Sequence, residues 1–375
     1  NYSYFAHIVA SSADGPRGDK VKSPLLANAP SNIMLMCDKC HRLIDRVAPA
    51  RYDADLLNEM RQRNVDEVSK LLDTLRYPAA QMLVIGGNIE GQSFAFDERI
   101  AEEAMWLRRL RTGGGRADWF ARNGPHLGAS NSDGYWLSLF SLLKNDKPRL
   151  AGLLDGSAYG GAPRPPLAVF PLHGTSVLVL SGRLIGDSSS AHVFQFHRDQ
   201  VSGQRGGQWA WPEAALAQPN DKFKVQVHHH AKGGETEACL RINLTAAVPA
   251  ADLPPHLFSS EQLAMPTIEI TVESPNHRVI GHPADLELFG RAVDQALQKL
   301  QDEWRVRTVH LVVVAPVTAC LRIGQKMQAR HHAEFILYER RPSTAPGARG
   351  DFAKTIAISP TEVTLLSTGE SISIS

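Results

Sequence analysis

Five side chains near the N-terminus could do chemistry together: His7, Asn32, Cys37, Cys40 and His41. They lie in two stretches, "AHIVASSADGPRGD" (6–19) and "NIMLMCDKCHRLID" (32–45). Imidazoles ordinarily titrate near pH 6.5 and so can take a proton from water at neutral pH. A positioned base of this kind is worth roughly 10²–10⁴-fold in rate. His7 is the candidate general base. His41 is the candidate ligand of a Mg²⁺-like divalent ion, which would stabilise charge on a phosphate and on a leaving 3′ oxygen. Asn32 either shares that ligation or braces the loop after His7. Cys37 and Cys40 read as half of a four-cysteine structural zinc site. Cys-x-x-Cys-His also matches c-type haem attachment, but that reading leaves His7 and Asn32 unexplained. Taken together, the set points to metal-assisted phosphodiester hydrolysis.

The elements that must hold these residues are short. "YFAHIVAS" reads as a strand, "DGPRGD" as a turn by its Gly and Pro, and "NIMLMC" as a second strand. Arg51–Arg76 is helical, with Leu56, Leu57, Met60, Val65, Val68, Leu71 and Leu72 at helical spacing. This gives a strand–turn–strand–helix module over 1–76, closed by Tyr77-Pro78. Residues 77–145 are expected to form a connector with a strand ("MLVIGGNIEG") and helices ("DERIAEEAMWLRRLR", "NSDGYWLSLFSLLKND"). Residues 146–375 alternate strands and helices, and "TSVLVLSGRLIG" is expected to be a strand. "TVHLVVVAPV" is apolar without alternation, as buried parallel strands are. The run from Thr267 to Arg340 predicts a Rossmann-like α/β half.

Bulk properties exclude several classes. The chain has 375 residues, 43% hydrophobic and 21% charged, as globular proteins do. Its longest apolar runs, such as "PPLAVFPL", are far short of a membrane span. Four cysteines are too few for a disulfide scaffold and fit a reducing cytoplasm. A net charge of +1 announces no nucleic-acid binder on its own. Residues 305–341, with Arg305, Arg307, Arg322, Lys326, Arg330, Arg340 and Arg341 against Glu334 and Glu339, are a local anion-attracting candidate. The chain opens at Asn1 rather than Met, directly ahead of the motif, and the zinc partners of Cys37 and Cys40 are expected upstream.

The order His…Asn…His, with "LMCDKCH" completing it, is the HNH, or ββα-metal, pattern. With the "GPRGD" turn and the "CH-x-x-ID" ending, it resembles the HNH domain of HNH–SAVED effectors of bacterial CBASS antiphage systems. Two positions depart from it: Ala6, where many HNH enzymes carry a metal ligand, and Asn64, where many carry a further histidine. "TVHLVVVAPVTACLRIGQKMQARHHAEFILYER" and the preceding "ITVESPNHRVIGHPADLELFGRAVDQAL" resemble a SAVED domain. The resemblance implies a fold of two fused CARF-like Rossmann units over 146–375. It further implies binding of a cyclic oligonucleotide, such as the cyclic dinucleotide cGAMP, and ligand-driven homo-oligomerisation. The oligomer would cut double-stranded DNA with little sequence preference, leaving 5′-phosphate and 3′-hydroxyl ends, in the bacterial cytoplasm. The alternative is a ligand-sensing DNA-binding or scaffold protein with a degenerate HNH module.

In such a fold, ligands sit at the carboxyl ends of strands, facing helix N-termini that attract phosphate. The pocket is therefore expected from Ser274, Pro275, Arg278, Pro316, Thr318, Arg322, Gly324, Gln325 and Lys326. Gly324 would allow close approach, and the three cations would neutralise phosphate. Tyr338, Trp209 or Trp211 would stack on a base, the two tryptophans beside Gly206-Gly207 suggesting an exposed edge.

Overall fold

Alternating side chains in β1 (Ser3–His7) and β2 (Ile33–Cys37) give an antiparallel pair with Ser3 opposite Cys37 and His7 opposite Ile33. One face of this pair, through Ala6, Met34 and Met36, packs with Ile8, Ile44 and the buried Leu57. Between the strands runs a turn and the short α1 (Lys22–Leu26); after them come α2 (Asp38–Arg42) and the long α3 (Ala54–Thr74). Asp53 caps α3, its carboxylate accepting from the Leu56 amide at 2.8 Å. This ββα body is one of two compact units, Asn1–Tyr77; the other is Pro78–Ser375. The structure is a computed structural model and describes residues 3–87, 94–123, 132–187, 189–199, 204–211, 219–327, 333–341 and 350–374. The unit boundary falls one residue from the sequence-based one.

The second unit is built on two sheets. The first contains β3 (Ala79–Gly86), β4 (Arg111–Thr112), β5 (Asp118–Phe120), β6 (Leu167–Leu172) and β7 (Ala191–Val193) in the order β4-β3-β6-β7, with β5 also on β3; all the pairings are parallel. Helices α4 (Glu98–Leu107), α5 (Asp133–Asp155) and α6 (Thr175–Ile185) belong to this half. Residues 78–145 are therefore not a connector. β3 is buried from Met82 to Gly86 and forms the middle of a sheet.

Among the described residues the second sheet has eight strands in the order β17-β16-β15-β14-β13-β9-β12-β8. These are β8 (Lys224–His229), β9 (Glu237–Asn243), β12 (Thr267–Thr271), β13 (Thr308–Val314), β14 (Glu334–Arg340), β15 (Phe352–Ile358), β16 (Glu362–Leu365) and β17 (Ser371–Ser373). A small hairpin, β10 (Phe258–Ser259) with β11 (Gln262–Leu263), precedes β12. β12, β9, β13 and β14 are mutually parallel, as the Rossmann-like reading requires. Helices α7 (Pro283–Gln298) and α8 (Val317–Lys326) pack on one face against Val309, Leu311 and Val313. The other face, with Cys239, Val312 and Tyr338, is covered by Val248, Leu253 and Leu257.

The stretch 175–185 is the helix α6, not a strand. Every residue from Ser176 to Gly182 is buried, so its apolar character runs all the way round and hides the helical period. What it packs on explains this. A Cβ on Gly182 would lie 2.0 Å from the Leu321 carbonyl oxygen, and one on Gly324 would lie 1.8 Å from that of Val179. α6 and α8 thus cross backbone to backbone. One offset along the chain relates Gly174 to Pro316, Ser176 to Thr318 and Gly182 to Gly324, so β6-α6 and β13-α8 are equivalent parts of two similar halves.

Gly182→Ala or Gly324→Ala should each cost at least about 2 kcal/mol, as overpacking does when the obstacle is main chain. Gly134→Ala, at an exposed position of α5 with no atom within 4 Å, should leave stability unchanged or raise it. Urea unfolding of the three variants checks both expectations.

Candidate functional site

In the first unit His7 closes β1, and its Nε2 lies 2.9 Å from the Ala27 carbonyl oxygen. A carbonyl oxygen only accepts, so the neutral ring carries its proton on Nε2 and its lone pair on Nδ1. His41, on α2, has Nε2 at 3.0 Å from Asp45 Oδ2, and its ring stacks on Tyr4 at 5.0 Å. Asp45 is itself held by Arg17, Nη2 to Oδ1 at 2.6 Å. The Arg17 side chain, 8% exposed, also donates to the carbonyls of Ile8 (2.7 Å) and Ile44 (3.0 Å). It thereby ties the end of β1 to the segment that carries His41 and Asp45.

Asn32 is buried, and its side chain is committed to the backbone. Its Oδ1 accepts from the Val9 amide at 2.8 Å, and its Nδ2 donates to the carbonyls of Val9 (2.8 Å) and Leu26 (3.1 Å). The structure therefore places Asn32 as a brace for the loop after His7, not as a metal ligand. Ala6 is packed in the core, and Asn64 is exposed on α3. Cys37 and Cys40 are exposed free thiols close enough to hydrogen-bond. Hydrogen bonds from Cys40, backbone first, pull the Cys37 thiol below its ordinary range, while the Cys37 side chain raises that of Cys40. His41, through Nδ1, fits a divalent cation, with Asp45 orienting the ring as carboxylates do behind metal-bound imidazoles. The two thiols fit one half of a tetrahedral zinc site. Among the described residues no three His, Cys, Asp or Glu side chains group as a metal site.

In the second unit the expected pocket residues do not converge. Trp209 and Trp211 are buried, Trp209 within a cluster of Phe96, Phe170 and Phe196. Their alternate spacing reflects core packing beside a glycine turn, not an exposed edge. Tyr338 is buried on the far face of the sheet. There its hydroxyl lies 2.7 Å from both His310 Nδ1 and His256 Nε2, and His310 Nε2 lies 2.9 Å from Glu237. Arg322 pairs with Glu287 (2.7 Å) and Lys326 with Asp294 (2.8 Å), both across to α7. Arg340 pairs with Asp252 at 3.3 Å, and Arg330 lies outside the described residues, so the basic stretch 305–341 is not one patch. Gly324 serves the crossing of α6 and α8, and Gln325, also buried, donates to the Gly186 carbonyl at 3.3 Å.

Ser274, Pro275 and Arg278 do lie in the loop after β12, at its carboxyl end. Ser274 and Arg278 line a polar cleft of about 310 Å³ with Lys222, Lys224 and Asn276. Arg278 pairs there with Asp199 at 2.9 Å. Pro316 caps α8, and Thr318, fully buried, bonds through Oγ1 to Gln195 Oε1 at 2.5 Å. The α6 end carries a matching contact that sequence reasoning missed: Glu339 accepts from the Ser176 amide at 2.8 Å. Arg17 and Asp45 were also missed as structural residues. Asp45, four positions from His41 on a helical stretch, was readable; Gln195 and Glu339 become visible only through the fold.

A search with family models matches residues 148–358 to SAVED, the "SMODS-associated and fused to various effectors sensor domain". The chain belongs to the SAVED family. No curated protein matches it. Among solved structures, it is similar to the Acinetobacter baumannii Cap4 SAVED/CARF-domain containing receptor with the cyclic trinucleotide 2′3′3′-cAAA. The TM-score is 0.44 and the identity 15%, over 74% of this chain and 51% of that one. The same receptor with 3′3′3′-cAAA gives 0.43 and 13%, over 75% and 52%. The Moraxella osloensis Cap4 receptor gives 0.41 and 14%, over 75% and 50%. The chain thus spans about half the length of these receptors. Among the described residues, no helix of this SAVED protein is long and apolar enough to cross a membrane.

Burial pushes His173 in the SAVED unit down to about 4 against the opposing Ala121 carbonyl bond, and burial alone does the same to His197. Both are neutral in the fold, whereas an unfolded imidazole protonates near 6.5. Between roughly pH 6.5 and 4 the unfolded chain binds more protons, so stability falls on acidification through that window. A thermal unfolding midpoint that drops from pH 7 to 4, with a shallower slope in His173→Gln, is the expected result.

Proposed function

We propose that this SAVED protein is a cyclic-oligonucleotide-activated DNA endonuclease of antiphage defence, with residues 1–77 as its HNH effector. The observation that carries the catalytic half is the fixed His7 ring. The Ala27 carbonyl holds the proton on Nε2, leaving Nδ1 as the atom that takes a proton from attacking water. Arg17 and Asn32 keep that ring at the end of β1 by fixing the loop behind it. His41 would hold a Mg²⁺-like ion through Nδ1, supplying charge stabilisation at the phosphate. Cys37 and Cys40 would hold structural zinc together with further ligands.

The sensor half rests on family membership and on two helix N-termini, of α6 and α8, at the carboxyl ends of parallel strands. Its ligand is a cyclic oligonucleotide, a dinucleotide such as cGAMP or a trinucleotide. Ligand binding drives homo-oligomerisation, and the assembly sums the weak phosphate contacts of single modules on double-stranded DNA. A second reading, a DNA-binding scaffold with a degenerate HNH module, is favoured by one observation. The Asn32 amide is committed to the backbone and Ala6 to the core, so His41 is left with few helpers in holding a cation.

Plasmid DNA incubated in Mg²⁺ with a panel of cyclic di- and trinucleotides tests this. Cleavage that appears with one nucleotide, and falls about 10²–10⁴-fold in His7→Ala, is expected. Tight nucleotide and DNA binding by the unmodified protein with no cutting would sink the nuclease reading and leave the scaffold.

A further inference from the structure

The segment between β9 and β12, residues 244–265, runs as a strap over the far face of the second sheet. Its Val248, Leu253 and Leu257 pack on Cys239, Val312 and Tyr338. Polar links pin it as well. Arg241 donates to the Val248 carbonyl, Arg340 pairs with Asp252 at 3.3 Å, and His256 Nε2 meets the Tyr338 hydroxyl at 2.7 Å. The last link is one end of a chain that crosses the interior. Exposed His256 leads to Tyr338, 1% exposed, then to His310, 3% exposed and 2.7 Å away through Nδ1, and then to exposed Glu237, 2.9 Å from His310 Nε2.

The protons of this chain can be counted. A carboxylate only accepts, so His310 Nε2 carries a proton and donates it to Glu237. Neutral His310 then offers a bare Nδ1, to which Tyr338 donates, and the Tyr338 oxygen accepts from His256 Nε2. A proton added at His256 Nδ1 leaves this order intact. A proton added at His310 instead reverses it: Nδ1 donates to Tyr338, and Tyr338 donates to a bare His256 Nε2. With a proton added to each ring, both nitrogens donate to the one oxygen, and the Tyr338 proton has lost both of its acceptors. A buried donor stranded in this way is costly.

The surroundings add to that cost. The two rings lie 5.5 Å apart between centroids, and Lys354 sits opposite Tyr338 in register on β15. Glu237 faces them with a negative charge from β9. Cys239, opposite His310 on the same strand, is held as a neutral thiol by burial. Arg340, two residues along β14, is balanced by Asp252.

We propose that this chain is a two-proton latch on the strap: it stays closed with no proton or one added, and opens when His256 and His310 are both protonated. The latch is a property of the fold and works whatever ligand the sensor takes. Leu244 and Thr245, at the root of the strap, both bond the Val314 carbonyl at the carboxyl end of β13, at 2.9 and 3.1 Å. Release of the strap therefore reaches the end of the sheet that leads into α8. Burial holds both imidazoles below their ordinary value, against the pull of Glu237. The closed form thus refuses a second proton that an open form accepts near pH 6.5, and acid favours opening.

The test is hydrogen exchange of the full chain between pH 7.5 and 5, read by mass spectrometry and corrected for the intrinsic pH dependence of exchange. Strap peptides within 245–258 are compared with peptides of α7 and β6. Below about pH 6.5 the strap should lose protection by about tenfold per pH unit, the signature of one proton taken up on opening, while α7 and β6 keep theirs. In His256→Gln the amide can donate to Tyr338 or accept from it but cannot be charged, so the strap should stay protected across the range. Tyr338→Phe should loosen the strap at every pH and remove the step. An equal loss in strap, α7 and β6 would mean global unfolding through His173 and His197, and overturns the proposal. So does a strap that ignores pH, an unchanged step in His256→Gln, or a strap as well protected in Tyr338→Phe as in the unmodified protein. If Tyr338→Phe fails to fold, His256→Gln, a change at an exposed position, decides alone.

Discussion

The second unit depends on the crossing of α6 and α8 at Gly182 and Gly324. No side chain lies between the two helices at that point, so their separation is fixed by the van der Waals size of the main chain. Close packing of this kind leaves little room for adjustment. Everything else in the unit is arranged around it. β6 feeds α6 and β13 feeds α8, and the two sheets are held in one body by the cluster that joins Val177, Leu178, Leu180, Cys320 and Ile323. The same contact brings each helix start within reach of a side chain from the opposite half, which is why Gln195 and Glu339 can cross over at all.

The first unit is organised by polar contacts, because its core is small: Ala6, Ile8, Ile44 and Leu57 with a few part-buried neighbours. A small apolar core leaves more to hydrogen bonds that satisfy buried carbonyls. Arg17 and Asn32 supply them. Both are attached to the loop between β1 and β2, and both anchor atoms next to His7 or the Asp45 that faces His41. The residues that would do chemistry and those that hold the fold are therefore neighbours on the same short stretches of chain.

Much of this was legible in the sequence, and the exceptions have physical causes. The module boundary, β1, β2 and α3 followed from spacing and turn residues, as did β13 and α7 from an unbroken apolar run and a capped amphipathic pattern. α6 did not, because a helix buried on all sides has no polar face to reveal its period. Strands β15, β16 and β17 went unread although each pairs antiparallel with its sequence neighbour; β16 and β17, of four and three residues, are too short to show a period. The ligand residues were chosen by residue type near the ends of predicted strands. Type could not show that the charges of Arg322 and Lys326 face Glu287 and Asp294 on α7, or that Gly324 meets a helix. The His7 and His41 positions were readable because they belong to a local motif, and the part of Asn32 was left between two options that only its hydrogen bonds decide.

Arg17 has a further consequence. Its φ is +59°, in the left-handed region that glycine adopts freely and an arginine enters at a cost. That cost is offset only once the guanidinium reaches the carbonyls of Ile8 and Ile44 and the carboxylate of Asp45. The shape of this turn is thus tied to the packing of β1 against the segment that carries Ile44 and Asp45. The motif's geometry therefore depends on contacts between segments distant in sequence, and a partly folded first unit would carry the motif's residues without it.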